Sequence, residues 1–235
     1  MSKVMPKGID SSKIIQTWSE KIKLAPGVFV YKNVIKKEFD IINKLEFSLT
    51  NNQDYKWRQA TVGYGFRKPD YRDCLDFKFK KEDIKKNDDI SNCLKDVWQD
   101  CYDSMYHAVS DYCLDHNLVE LQYWESMNFI KYLEGNHFEE HTDHGFSYNA
   151  TVSLVAYIND DYEGGEIKFR LQDLLYKPEA EDLVIFPSNY IYPHQAMPVI
   201  NGTKYSIVTM LDYTDRGHVV YSDKKTSFLE NKKII

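Results

Sequence analysis

No CxxC pair, no excess of basic residues and no long apolar run occurs in this sequence of 235 residues. The four cysteines, Cys74, Cys93, Cys101 and Cys113, stand singly, and no secretory leader precedes them. A disulfide framework and a zinc knuckle therefore lack support. Reduced thiols in a cytoplasmic chain are the expectation. No apolar stretch approaches the roughly 18 to 20 residues of a membrane-spanning helix, so a soluble chain without a membrane partner is expected. The net charge of -6 argues against a surface built to neutralise phosphates, since nucleic-acid affinity comes largely from clustered Lys and Arg. Nucleic acid is disfavoured as a partner. Hydrophobic residues at 43% and charged residues at 28% are ordinary for a globular protein and exclude disorder across the whole chain.

The length suits one substantial core. Residues 1–25 show weak periodicity and read as a partly ordered extension, ahead of a single domain over residues 26–221. "PGVFVYKNVI" from Pro26 is the first β-like run. Residues 36–49 place Phe39, Ile42 and Leu45 or Leu49 on one helical face. Gly63, Gly65 and Pro69 break the pattern across residues 51–89, which read as a loop-rich insertion. From Asn92 to Asn117 the apolar positions Val97 or Trp98, Cys101, Met105, Ala108 or Val109, and Tyr112 recur at helical spacing. Cys101 and Cys113 lie on or near that stripe, as core thiols would.

Strand-like runs then follow closely: "MNFIKYL", "ATVSLVAYIN", "GEIKF", "DLVIFP", "IYPHQAMPVI" and "KYSIVTMLDYT". Helices followed by a run of antiparallel strands predict an α+β chain whose β part, about residues 121–215, is a barrel or jelly roll with helices on one side. The charged tail, residues 222–235, reads as loosely held.

The stretch "HTD" sets His141 and Asp143 two residues apart. On a strand such side chains share a face and can bind one ion. Among the remaining histidines, His107 and His116 fall on the helix, His137 and His144 adjoin the pair, and His218 lies in the tail. His194, in a strand-like segment, is the best third ligand. Two His and one carboxylate make the facial triad of non-haem Fe(II) oxygenases, which leaves positions open on the metal. Zinc with the same ligands and a water is the competing assignment, although the HExxH helix of many zinc hydrolases is absent. A lone HxD can also be a plain surface turn.

"NGTKYSIV" beyond His194 supplies a basic residue, Lys204. A two-residue hairpin loop at Asn201 and Gly202 turns Lys204 to the face opposite His194. A three-residue loop, Ile200 to Gly202 with Gly202 left-handed, instead places both on one face, roughly 13 Å apart along the strand. That bulged hairpin is the expectation. A small dicarboxylate could then meet the metal at one end and the ammonium at the other.

In order, "YLEG", "HTD", "AYINDDYEGGEIKF", "KPEAEDLVIFP" and "H...PVINGTKYS" resemble the 2-oxoglutarate and Fe(II)-dependent dioxygenases, and among them the prolyl 4-hydroxylase-like group. The likeness runs over about residues 128–211. It implies a double-stranded β-helix, Fe(II) on His141, Asp143 and His194, and Lys204 paired with the distal carboxylate of 2-oxoglutarate. It also implies that Tyr132 and Tyr157 line or bond the cosubstrate, where core packing is the plainer alternative. Fe(II), 2-oxoglutarate and O2 are the implied cofactors, with ascorbate a candidate reductant. Gly164 and Gly165 read as turn formers.

Two substrate-side positions depart from the group: Ala150 stands where an arginine is common, and Met210 where a tryptophan is common. A prolyl residue in a peptide or protein is the leading substrate, ahead of a free amino acid or other small molecule. Nucleic-acid demethylation would call for an RxxxxxR pair that Lys204 and Met210 replace. A cupin-like module that holds metal without turnover is the rival from outside enzymes. The stretch Tyr64 to Phe66 is a candidate lid, or else a plain surface loop.

Overall fold

β-branched and aromatic runs broken by Asn, Gly and Pro turns form antiparallel strands, and two amphipathic stretches form helices. The computed structural model describes residues 8–50, 52–62, 65–145 and 149–213. A large sheet orders its strands as Glu20–Ala25, Val28–Lys32, Leu183–Pro187, Val152–Tyr157, Lys204–Asp212, Met127–Tyr132, Leu75–Phe79 and Arg58–Gln59, with Tyr123–Trp124 also against Lys204–Asp212. A smaller sheet runs Leu174–Tyr176, Ile167–Phe169, His194–Ala196, His137–His141 and Arg72–Asp73. Glu163–Gly164 and Val199–Asn201 pair separately. The two facing sheets make the double-stranded β-helix.

Helices α1 (Ile41–Thr50) and α2 (Asp89–Asp115) cover the outer face of the large sheet. Leu94, Val97, Cys101, Met105, Ala108 and Tyr112 form the buried stripe of α2, as the spacing predicts. The helix starts earlier than residue 92 because the Asp88 carboxylate accepts a hydrogen bond from the Ser91 backbone N–H. Opposite that stripe, Leu154, Ala156, Phe129 and Ile207 complete the principal core. Val155 and Tyr157, on the other face of the same strand, join Val184 and Phe186 inside the barrel. Burial on both faces explains why every residue of Val152–Tyr157 is buried and all but Ser153 are apolar or aromatic.

All four cysteines are free thiols. Cys74, Cys101 and Cys113 are buried, and burial raises all three pKa values. Among the described residues no helix is long and apolar enough to cross a membrane.

Three expectations are corrected. Residues 20–25, expected in an extension, form a strand that pairs with Val28–Lys32 around a turn in which Gly27 takes φ of 74°. Its burial follows no period of two, because it is an edge strand. Leu75–Phe79, inside the expected insertion, is a full strand of the large sheet paired with Met127–Tyr132. LDFKF alternates as a strand should, but the Gly, Pro and charged residues around so short a run mask it. Finally, Val199–Asn201 makes no hairpin with Lys204–Asp212; it pairs with Glu163–Gly164, and the chain crosses to the large sheet. Gly202 is left-handed as expected, with φ of 87°, and a Cβ there would meet the Asp161 carbonyl oxygen at 2.9 Å. The expected common face of His194 and Lys204 rested on that hairpin, so the inward position of Lys204 follows from the crossover and not from the expected turn.

Leu154 is fully buried between sheet and helices. Leu154→Ala should lower unfolding stability by about 2 to 5 kcal/mol, read as a lower urea midpoint at unchanged m-value.

Candidate metal centre

His141 ends the strand His137–His141, and His194 begins the strand His194–Ala196. The two are direct cross-strand partners, with ring centroids 4.3 Å apart. Asp143 follows in a bend rather than on the strand, yet it reaches the same point. Its Oδ1 lies 3.7 Å from His141 Nε2, and its Oδ2 lies 3.7 Å from His194 Nε2. One ligand atom from each residue falls within 4.8 Å of the others.

The remaining ring nitrogens fix which atoms face inward. His141 Nδ1 is 2.8 Å from the Glu139 carbonyl oxygen, and His194 Nδ1 is 3.2 Å from that of Tyr192. A carbonyl only accepts, so each Nδ1 carries a proton and Nε2 is the ring atom that faces the other ligands. Burial and the neighbouring His194 push the His141 pKa down to about 3, against the pull of Asp143, so the imidazole stays neutral. Phe138 stacks on the His141 ring at 3.6 Å, and Phe186 meets the His194 ring edge-on at 4.7 Å. The Ser153 hydroxyl donates to Asp143 Oδ2 at 2.6 Å and lies 2.7 Å from the Ser188 hydroxyl. Two imidazoles with Nε2 turned inward and one oriented carboxylate fit a divalent metal.

A cavity of about 430 Å³ extends from this cluster between the sheets. Lys204 enters it from the strand Lys204–Asp212, beside its cross-strand partner Tyr132, and Tyr157 pairs with Ser206. The ammonium is buried, donates to the Gly165 carbonyl at 2.6 Å, and stands 5.1 Å from each ring centroid of Tyr132 and Tyr157. Burial, with a contribution from Lys177, lowers its pKa to about 7. Both tyrosines are buried. Gly165 is more than a turn former, because a Cβ there would come within 3.1 Å of the Lys204 stem and 2.9 Å of the Tyr162 ring.

Sequence reasoning missed Ser153, Tyr162, Arg72, Asp76 and Asn128. Tyr162 carries a buried hydroxyl with no partner among the described residues, and its ring centroid lies 6.0 Å from the Lys204 ammonium. Arg72, Asp76 and Asn128 line the cavity. The alternation in "RDCLDFKF" was the only signal for Arg72 and Asp76, and Asn128 sits in the strand-like run "MNFIKYL". His137 and His144 stay outside the triad, His144 Nδ1 bonding the Ala150 carbonyl. Of the candidate lid, Tyr64 lies outside the described residues; Val62 and Phe66 bridge beside it, and Thr61 and Val62 line the cavity.

Residues 127–211 match the sequence model of the 2OG-Fe(II) oxygenase superfamily, whose members use Fe(II), 2-oxoglutarate and O2. No curated protein matches the chain. Among solved structures, a prolyl hydroxylase from Trichoplax adhaerens, in complex with a hypoxia inducible factor oxygen degradation domain peptide fragment, superposes with a TM-score of 0.62 at 14% identity, covering 83% of this chain and 86% of that one. A Pseudomonas putida prolyl-4-hydroxylase gives 0.53 at 15% identity, covering 79% and 92%. The viral collagen prolyl hydroxylase of Paramecium Bursaria Chlorella virus-1, solved with 2-oxoglutarate, gives 0.52 at 13% identity, covering 79% and 95%. At these identities the likeness is one of fold. The superfamily resemblance read from the sequence holds.

Ser153 touches the carboxylate without belonging to the triad. Ser153→Ala should weaken Fe(II) or Co(II) binding about 10- to 100-fold, measured by metal titration of the apoprotein.

Proposed function

We propose, on the premise of the superfamily match over residues 127–211, that the chain hydroxylates an unactivated C–H bond with 2-oxoglutarate as cosubstrate. The carrying observation is one cavity with His141, Asp143 and His194 at one end and the buried Lys204 ammonium at the other. In this reading the triad holds Fe(II), and the Glu139 and Tyr192 carbonyls, by holding each Nδ1, turn both Nε2 atoms toward the metal position. Lys204 takes the distal carboxylate of 2-oxoglutarate, and Tyr132 and Tyr157 wall that end against water. When bound, the iron with 2-oxoglutarate and O2 supplies oxidative decarboxylation and insertion of one oxygen atom into the substrate. The protein contributes orientation, a closed wall and a fixed donor set.

A prolyl residue in a peptide or protein is the leading substrate, supported by the peptide held by the Trichoplax neighbour. A free amino acid or other small molecule is the second reading, favoured by the charged side chains Arg72 and Asp76 on the cavity wall.

Incubation with Fe(II), 2-oxoglutarate and O2 should form succinate, and Asp143→Ala should abolish it while circular dichroism stays native. Metal uptake without succinate would instead mark a binding module. The pH dependence has a definite sign. Lys204 titrates at about 7 in the cosubstrate-free site, and a carboxylate favours its charged form. Affinity for 2-oxoglutarate should therefore be full below that pH and fall by up to about tenfold per unit above it. Anaerobic calorimetry with Mn(II) in two buffers should show proton uptake on binding above pH 7, and Lys204→Met should remove that uptake.

A further inference from the structure

One wall of the cavity carries charges that metal and cosubstrate leave unused. The strand Leu75–Phe79 sets Asp76 opposite Ile130 and Lys78 opposite Asn128, and all four side chains line the cavity. Arg72 enters from the edge of the smaller sheet, opposite Phe138. Its guanidinium carbon lies 4.9 Å from the Phe138 ring centroid, and Phe138 stacks on His141. A cation therefore stands one aromatic ring away from the metal triad.

That cation is incompletely satisfied. Nη1 donates to the Thr61 carbonyl at 3.0 Å, and Nη2 reaches Asp76 Oδ2 at 3.3 Å. Nε is buried with no hydrogen-bond partner among the described residues, the Cys74 thiol lying beside it. Asn128 Oδ1 is buried and unpaired too. With the Arg72 side chain only 12% exposed, the Thr61 carbonyl, the Asp76 carboxylate and the neighbouring Cys74 thiol leave part of a five-donor fork unused. Holding a charge in so dry a place is expensive, and a packed apolar side chain would serve stability better. Arg72, Asp76 and Asn128 all line the cavity, within reach of whatever enters.

We propose that Arg72 anchors a carboxylate of the primary substrate, while Asp76 and Asn128 receive its N–H groups. The inference rests on the oxygenase reading, since it places the substrate in the same cavity. Planar guanidinium and carboxylate match as a fork. Because Asp76 already offsets the Arg72 charge, a bound carboxylate frees Asp76 to accept from an ammonium or amide. The α-carboxylate of a free amino acid and the side chain of an acidic residue near the target position of a peptide offer the same chemistry.

The test compares kcat/KM, by mass gain of one oxygen and by substrate-stimulated succinate formation. The arms are free amino acids including proline, proline peptides flanked by Asp or Glu, and the isosteric amides of both sets. The wild type should prefer acid to amide by roughly 10- to 100-fold. Arg72→Gln should bring that ratio close to one, and Arg72→Lys should keep part of it. A response in the free amino acid arm identifies a zwitterion, and a response in the peptide arm an acidic segment; either supports the anchor. Succinate formation that no acid stimulates above its amide overturns the anchor alone. So does an Arg72→Gln defect equal for acid and amide. No succinate from the wild type overturns the oxygenase reading and the anchor with it.

Discussion

The register that sets His141 directly opposite His194 in the smaller sheet constrains the rest of the site. Cross-strand neighbours on one face are held at a separation the backbone hydrogen bonds dictate, so the two imidazoles meet without any loop having to be ordered. Only Asp143 comes from irregular chain, and the Ser153 hydroxyl from the facing sheet holds it. The donor set is thus tied to both sheets at once. A shift of either strand by one residue would turn its histidine out of the barrel.

The same architecture explains why a buried ammonium is tolerated. Lys204 has one carbonyl partner and aromatic faces around it, which lessen the burial penalty without removing it, and its lowered pKa records the remainder. A folded chain has no need of such a group for its own stability. Arg72 poses the same physical question on the opposite wall. Both positions hold a cation that would gain from an anion supplied from outside.

Much of this was legible in the sequence because it follows local periodicity. The α2 stripe repeats at 3.6 residues, and His141 and Asp143 sit close in the chain. His194 and Lys204 do share the cavity, but the hairpin from which their common face was argued does not form, so that agreement owes nothing to the expected pairing. Glu20–Ala25 was missed because an exposed edge strand keeps no alternation. Leu75–Phe79 alternates apolar and polar residues as a strand does, and it was missed because Gly, Pro and charged runs on either side made the whole stretch read as loop. Ser153, Tyr162 and Arg72 matter through neighbours on other strands, which spacing along the chain does not encode.

Gly165 sets the geometry of the far end by what it lacks. Without a side chain its backbone lets the Lys204 stem lie flat, and its carbonyl then pins the terminal nitrogen in place. Any side chain added at position 165 would have to push aside either the Lys204 stem or the Tyr162 ring, so one missing methyl decides where the cavity's buried ammonium comes to rest.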